Sequence, residues 1–101
     1  MAIKVVTVRD FSPYDANFFV NSIMEMENSS QPAIIYQVNS YGGRVDSLAE
    51  MLDILDSCKK PKISVISSVA MSCGILLSSY ADYRLMGGNS RTMVHRPSGM
   101  T

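Results

Sequence analysis

Short β-branched runs alternate with apolar stripes of helical spacing along most of this chain, and that alternation restricts its fold more than any other feature. Ile3 to Val8 (IKVVTV) suits a strand. In the FSPYDA segment that follows, Ser12 can cap a helix, Pro13 fits a first turn that needs no N–H, and Asp15 faces the positive end of the dipole. The predicted helix runs from Pro13 to about Glu27, with Phe18, Phe19, Ile23 and Met26 as its apolar stripe. NSSQP closes it, and Ala33 to Asn39 (AIIYQVN) reads as a second strand, apolar enough at its start for burial on both faces. Beyond the tight turn SYGGR, the spacing of Val45, Leu48, Met51, Leu52 and Leu55 predicts a second helix over Val45 to Ser57, with Lys59 and Lys60 placed to answer its negative end. Lys62 to Ile66 is a third strand, and after SSVAM a third helix is expected from about Ser72 to Tyr80. Two short strands near Tyr83 to Met86 and Thr92 to Val94 flank the turn-forming GGNS.

The order β-α-β-α-β-α-β predicts an α/β layered domain with a mainly parallel sheet and right-handed crossovers. No linker, repeat or low-complexity stretch divides the 101 residues, so a single domain is expected. A chain of this size buries a core with modest margin, which makes association with further copies an expectation. Nine acidic side chains balance nine basic ones and no Lys/Arg-dense stripe occurs, so neither nucleic acid nor an anionic membrane is an expected partner. The N-terminus is unlike a signal peptide and no segment approaches membrane-spanning length; the expected location is the cytoplasm, with Cys58 and Cys73 reduced and unbridged. Two cysteines without ligand spacing and the single His95 do not make up a four-ligand site, so no metal and no cofactor is expected.

In parallel α/β sheets, reactive groups gather where strands end, and three segments fall there: Asn39 to Gly43, Val69 to Gly74, and His95. Ser72 follows a strand and opens a helix, where backbone N–H groups lack helical partners. A nucleophilic serine needs such a place, because attack on a carbonyl creates an oxyanion that must meet fixed donors. Cys73 N–H is one candidate donor, and Gly42 or Gly43, whose backbones can approach a substrate closely, offers the second. His95 is the candidate base, since a serine hydroxyl is a poor nucleophile until a base takes its proton. The ordinary alternatives are that Ser72 caps a helix, that Gly42-Gly43 is only a turn, that His95 is structural, and that Cys73 is a small buried hydrophobe.

Taken together these segments resemble the proteolytic subunit of the ATP-dependent Clp protease, within the wider ClpP/crotonase fold. Asn39-Ser40-Tyr41-Gly42-Gly43 is similar to that family's Asn-Ser-Pro-Gly-Gly turn, with Tyr41 in place of proline. Ala70-Met71-Ser72-Cys73-Gly74 resembles its Ala-Ala-Ser-Met-Gly nucleophile segment, and Asn89 to Pro97 resembles its Asn-Ser-Arg-x-Met-x-His-x-Pro strand. The resemblance implies a serine endopeptidase with Ser72 as nucleophile and His95 as base. It also implies a peptide or unfolded-protein substrate lying extended beside Gly42 and Gly43, and a homo-oligomeric ring fed by a Clp ATPase. The family's pattern continues beyond Thr101 into a helical handle and the Asp that orients the base, and its axial loops precede the first strand. The resemblance therefore implies a truncated domain over residues 1 to 101 with no assignable triad Asp: Asp46, Asp53, Asp56 and Asp82 all precede His95. Two other readings are a catalytically silent subunit within a ring and a crotonase-like acyl-CoA enzyme; the Ser72 and His95 motifs do not resemble the latter.

Overall fold

The computed structural model describes residues 3–93, which form five strands and three helices. Helix α1 (Pro13–Glu27) begins as its sequence dictates: the Ser12 hydroxyl accepts the Asp15 N–H at 3.1 Å, with Pro13 in the first turn. Its buried face is Ala16, Phe19, Ser22, Ile23 and Met26, while Phe18 is exposed. The expected stripe is thus corrected at one position, since Phe18 lies about 100° around the helix from Phe19 and only one of the two can face the sheet.

Strand β1 (Val6–Val8) pairs parallel with β2 (Ile34–Ser40), and β2 pairs parallel with β3 (Lys62–Met71). β3 also takes two parallel partners in succession, β4 (Tyr83–Met86) beside Ile63 to Ile66 and β5 (Arg91–Met93) beside Val69 to Met71. Every strand pair among the described residues is parallel, as the β-α alternation predicts. α1 and α3 (Cys73–Ser79) pack on the strands, with α2 (Val45–Ser57) against both helices, and burial alternates along β2 instead of covering both faces as expected from its composition. Ile34, Tyr36, Val38 and Ser40 point into the core, and Ile35, Gln37 and Asn39 are half-exposed on the other face.

β3 continues five residues past the expected end at Ile66. Its polar Ser67-Ser68 pair, outside the expected strand, is a bulge: Val38 pairs with Ile66 and Ser40 with Ala70, so three residues of β3 oppose one of β2. Ser68 takes φ 74° there, and Ser90 holds the kink, its Oγ accepting the Ser68 N–H at 3.2 Å and donating to the Ile66 carbonyl at 3.0 Å.

Seven residues make too short a helix to be stable alone, so α3 depends on tertiary anchors. Two buried hydroxyls supply them: Tyr36 Oη donates to the Leu77 carbonyl at 2.6 Å and Ser64 Oγ to the Ser78 carbonyl at 2.8 Å. Tyr36 is itself fixed by an edge-on contact with Phe19, the ring centroids 5.7 Å apart. The lysines after α2 act differently from the expectation. Lys60 Nζ donates to the Met26 and Ser29 carbonyls and so closes α1, while Lys62 Nζ reaches the Cys58 carbonyl behind α2. No helix among the described residues is long and apolar enough to cross a membrane.

Candidate active site

Because β2 and β3 run parallel side by side, their carboxyl ends bring the Tyr41 to Arg44 turn against Ser72. The approach is close. A Cβ placed on Gly42 would lie 2.9 Å from Ser72 Cβ and 3.5 Å from both Ser72 Oγ and the Met71 carbonyl oxygen. Gly42 also has φ +119°, which side chains rarely adopt. Gly43 is required for a different reason: its Cβ would stand 2.6 to 2.9 Å from Phe11 Cβ, O and N, because Gly43 forms a parallel bridge with Phe11. One glycine makes room for Ser72, and the other ties the turn to the start of α1.

Ser72 occupies a sharp turn between β3 and α3 with φ 50° and ψ −118°. Such backbone is costly for a residue with a side chain, on the order of 1–3 kcal/mol, and is found where the surroundings force a side chain into a particular aim. A serine in strained backbone between a strand and a helix is similar in outline to a nucleophile elbow. Ser72 makes no side-chain capping hydrogen bond to α3, so the commonest role of a serine at a helix start does not apply to it. Its neighbours are set by packing. Cys73 is buried with Sγ directed at the Gly43 carbonyl, 3.6 Å away, and a Cβ on Gly74 would lie 3.2 Å from Val38 Cγ1 and 3.4 Å from the Ser40 carbonyl. The first turn of α3 therefore rests directly on the end of β2.

The donors in the glycine turn are unequal. Gly42 N–H donates to Ser40 Oγ at 3.0 Å, and Arg44 N–H to the Phe11 carbonyl at 2.9 Å. Gly43 N–H makes no hydrogen bond among the described residues, and the Gly43 carbonyl faces Cys73. In extended backbone the N–H and C=O of one residue point to the same edge, so the Gly43 peptide edge turns toward the Ser72–Cys73 corner. Sequence reasoning did not single out Ser40; its signal is a polar residue at an inward position of an otherwise apolar strand.

His95, the expected base, lies outside the described residues. Of Asp46, Asp53, Asp56 and Asp82, which precede His95 and match no triad position, three are engaged elsewhere. Asp46 forms a bidentate pair with Arg44, whose hydrogen bonds hold its carboxyl below the usual carboxylate range; Asp56 accepts Tyr80 Oη; and Asp82 accepts the Lys62 N–H at 2.9 Å. Among the described residues no group of three or more His, Cys, Asp or Glu side chains comes together as metal ligands would.

The chain is similar in sequence and in fold to known proteins. The ATP-dependent Clp protease proteolytic subunit 1 of Chlamydia abortus is 35% identical over 77 residues, 74% of this chain and 40% of that protein. Its namesake from Chlamydia trachomatis is 34% identical over 77 residues, again 40% of that protein, so the chain spans about two fifths of the length of these curated relatives. ClpP1 from Listeria monocytogenes shares the fold with a TM-score of 0.86 at 24% identity, covering 94% of this chain and 58% of that one. The ClpP protease catalytic domain from Plasmodium falciparum does so with a TM-score of 0.86 at 20% identity, covering 92% and 54%. The family model described as Clp protease matches residues 4–101, nearly the whole sequence. With the parallel sheet, the glycine turn and the strained serine all in that setting, this chain belongs to the Clp protease family.

Proposed function

We propose that residues 1 to 101 are part of one Clp-type peptidase domain, with Ser72 as the nucleophile of a serine endopeptidase. In this reading Ser72 Oγ attacks the carbonyl carbon of an extended peptide as His95 accepts the hydroxyl proton. The carbonyl oxygen becomes an oxyanion between the N–H groups of Gly43 and Cys73. Collapse breaks the C–N bond, His95 returns the proton to the leaving amine, and water then hydrolyses the Ser72 ester by the same relay. Gly42 shapes the site through its close approach to Ser72, its own N–H being bound to Ser40.

The observation that carries this reading is Ser72's backbone, φ 50° and ψ −118° at a strand-to-helix corner with Gly42 packed on its side chain. Ser68 also has a positive φ, in the β3 bulge, but Ser72 combines it with a strand-to-helix corner and a glycine turn packed on its side chain. The wider assignment follows the family: a peptide or unfolded-protein substrate, a ring of identical subunits, a Clp ATPase that delivers substrate, and a cytoplasmic location. Exposed Tyr83 and Leu85 on β4 support burial against another copy.

The test compares peptide hydrolysis by the assembled full-length protein with that of Ser72→Ala and His95→Gln. Each substitution is expected to lower turnover by about a thousandfold or more. Hydrolysis by Ser72→Ala at the wild-type rate would remove Ser72 from the mechanism.

A further inference from the structure

We infer that Ser40 is a positioning residue, its hydroxyl deciding which glycine N–H is presented to the Ser72 corner. The inference rests on the reading of Ser72 as nucleophile. Ser40 is 1% exposed at the last position of β2, on the face that carries Tyr36 and Val38. A hydroxyl at an inward position of a core strand needs a partner, and this one finds it two residues ahead, accepting the Gly42 N–H at 3.0 Å. That bond withdraws the Gly42 donor from the site. It also fixes the peptide plane before Gly42, whose positive φ, together with the Arg44 to Phe11 bond on the far side, then aims the Gly43 peptide toward Cys73.

Ser40 is well placed for this task because it is itself held from two directions. Its backbone pairs with Ala70 in β3, and the first turn of α3 comes near enough that a Cβ on Gly74 would lie 3.4 Å from its carbonyl. The hydroxyl is therefore a fixed point shared by the glycine turn and the two elements that flank Ser72. Without it, Gly42 N–H loses its acceptor and the glycine turn can rotate, so that the Gly43 donor leaves the position an oxyanion would need. Loss of one oxyanion donor lowers turnover by about 10²–10³, and a misaimed donor is expected to cost on the order of tenfold to a hundredfold.

The experiment compares Ser40→Ala and Ser40→Thr with wild type in the full-length protein, measuring kcat, KM, assembly and amide hydrogen exchange at Gly42. The inference predicts that Ser40→Ala loses roughly tenfold to a hundredfold in kcat with KM and assembly little changed. Ser40→Thr, which keeps the hydroxyl, restores most of the rate. Gly42 exchange is slow in wild type and accelerates in Ser40→Ala, a readout that needs no activity and remains valid whatever Ser72 does. Wild-type kcat in Ser40→Ala overturns the inference, as does a Gly42 amide that exchanges equally fast with and without the hydroxyl. A wild-type protein that shows the protected amide but no Ser72-dependent hydrolysis overturns the reading of the nucleophile instead.

Discussion

Adding one methyl group at Gly42 tests the site more sharply than removing any polar atom. Two separate costs meet at that position. Holding a non-glycine residue at φ +119° costs about 1–3 kcal/mol. The new Cβ would also sit 2.9 Å from Ser72 Cβ, a distance real Cβ atoms essentially never show, and forcing extra volume into a packed place costs about 1–3 kcal/mol more. The sum is about 2–6 kcal/mol against a domain stability of about 5–15 kcal/mol. The lower end applies if the turn moves away, and that movement carries the Gly43 peptide away from Ser72. Gly42→Ala is therefore expected to lower the urea midpoint clearly and to slow reaction of Ser72 with a serine-directed fluorophosphonate by about a hundredfold, the scale of loss that follows a misplacement of about 1 Å. Gly88→Ala is the control, because nothing lies within 4 Å of its added Cβ. A Gly42→Ala protein within about 0.5 kcal/mol of wild type and labelled at the wild-type rate refutes the close packing of this turn on Ser72.

Three further substitutions have expected outcomes. Gly43→Ala, whose Cβ would meet Phe11 backbone atoms at 2.7 and 2.9 Å, should abolish the cooperative unfolding transition or lower it more than Gly42→Ala does, as read by circular dichroism. Tyr36→Phe removes the bond to the Leu77 carbonyl and should cost about 1 kcal/mol in denaturant titration. Burial raises the Tyr36 phenol above its ordinary value of 10.0, so the folded state keeps a proton that the unfolded chain loses. Stability supplied by the neutral phenol is fully present below pH 10 and falls as pH rises beyond it, by at most about 1.4 kcal/mol per unit; Tyr36→Phe should flatten that decline. Lys60→Met, which deletes the bonds to the Met26 and Ser29 carbonyls, should lower stability by about 1 kcal/mol and speed amide exchange at the end of α1.

Local signals made much of this fold legible before any coordinates. α1 and α2 start and stop where Ser12-Pro13, Val45 and Ser57 place them, because caps and helical spacing are written within a few residues. The bulge in β3 was hidden, since Ser67-Ser68 lies outside the expected strand and Ser90 holds the kink from 22 residues away. Lys60 shows the same limit: its nearest helix in sequence is α2, yet its ammonium closes α1 across 34 residues. At the site, the strand-end rule foretold that Gly42 and Ser72 would meet. It could not foretell the strained backbone of Ser72, which no residue type announces, or the bond that commits Gly42 to Ser40 and leaves Gly43 facing Cys73. Tyr36 and Ser64 also escaped notice as the anchors of α3, because each is an unremarked core residue until its hydroxyl meets a helix carbonyl in space.

The central claim is that Ser72 is a nucleophile, and covalent labelling tests it most directly. The assembled full-length protein is treated with a fluorophosphonate, digested, and the modified residue located by mass spectrometry. The account predicts a single adduct on Ser72 that fails to form when the protein is unfolded first. An unmodified Ser72 in the folded assembly, or an adduct confined to another serine, contradicts it.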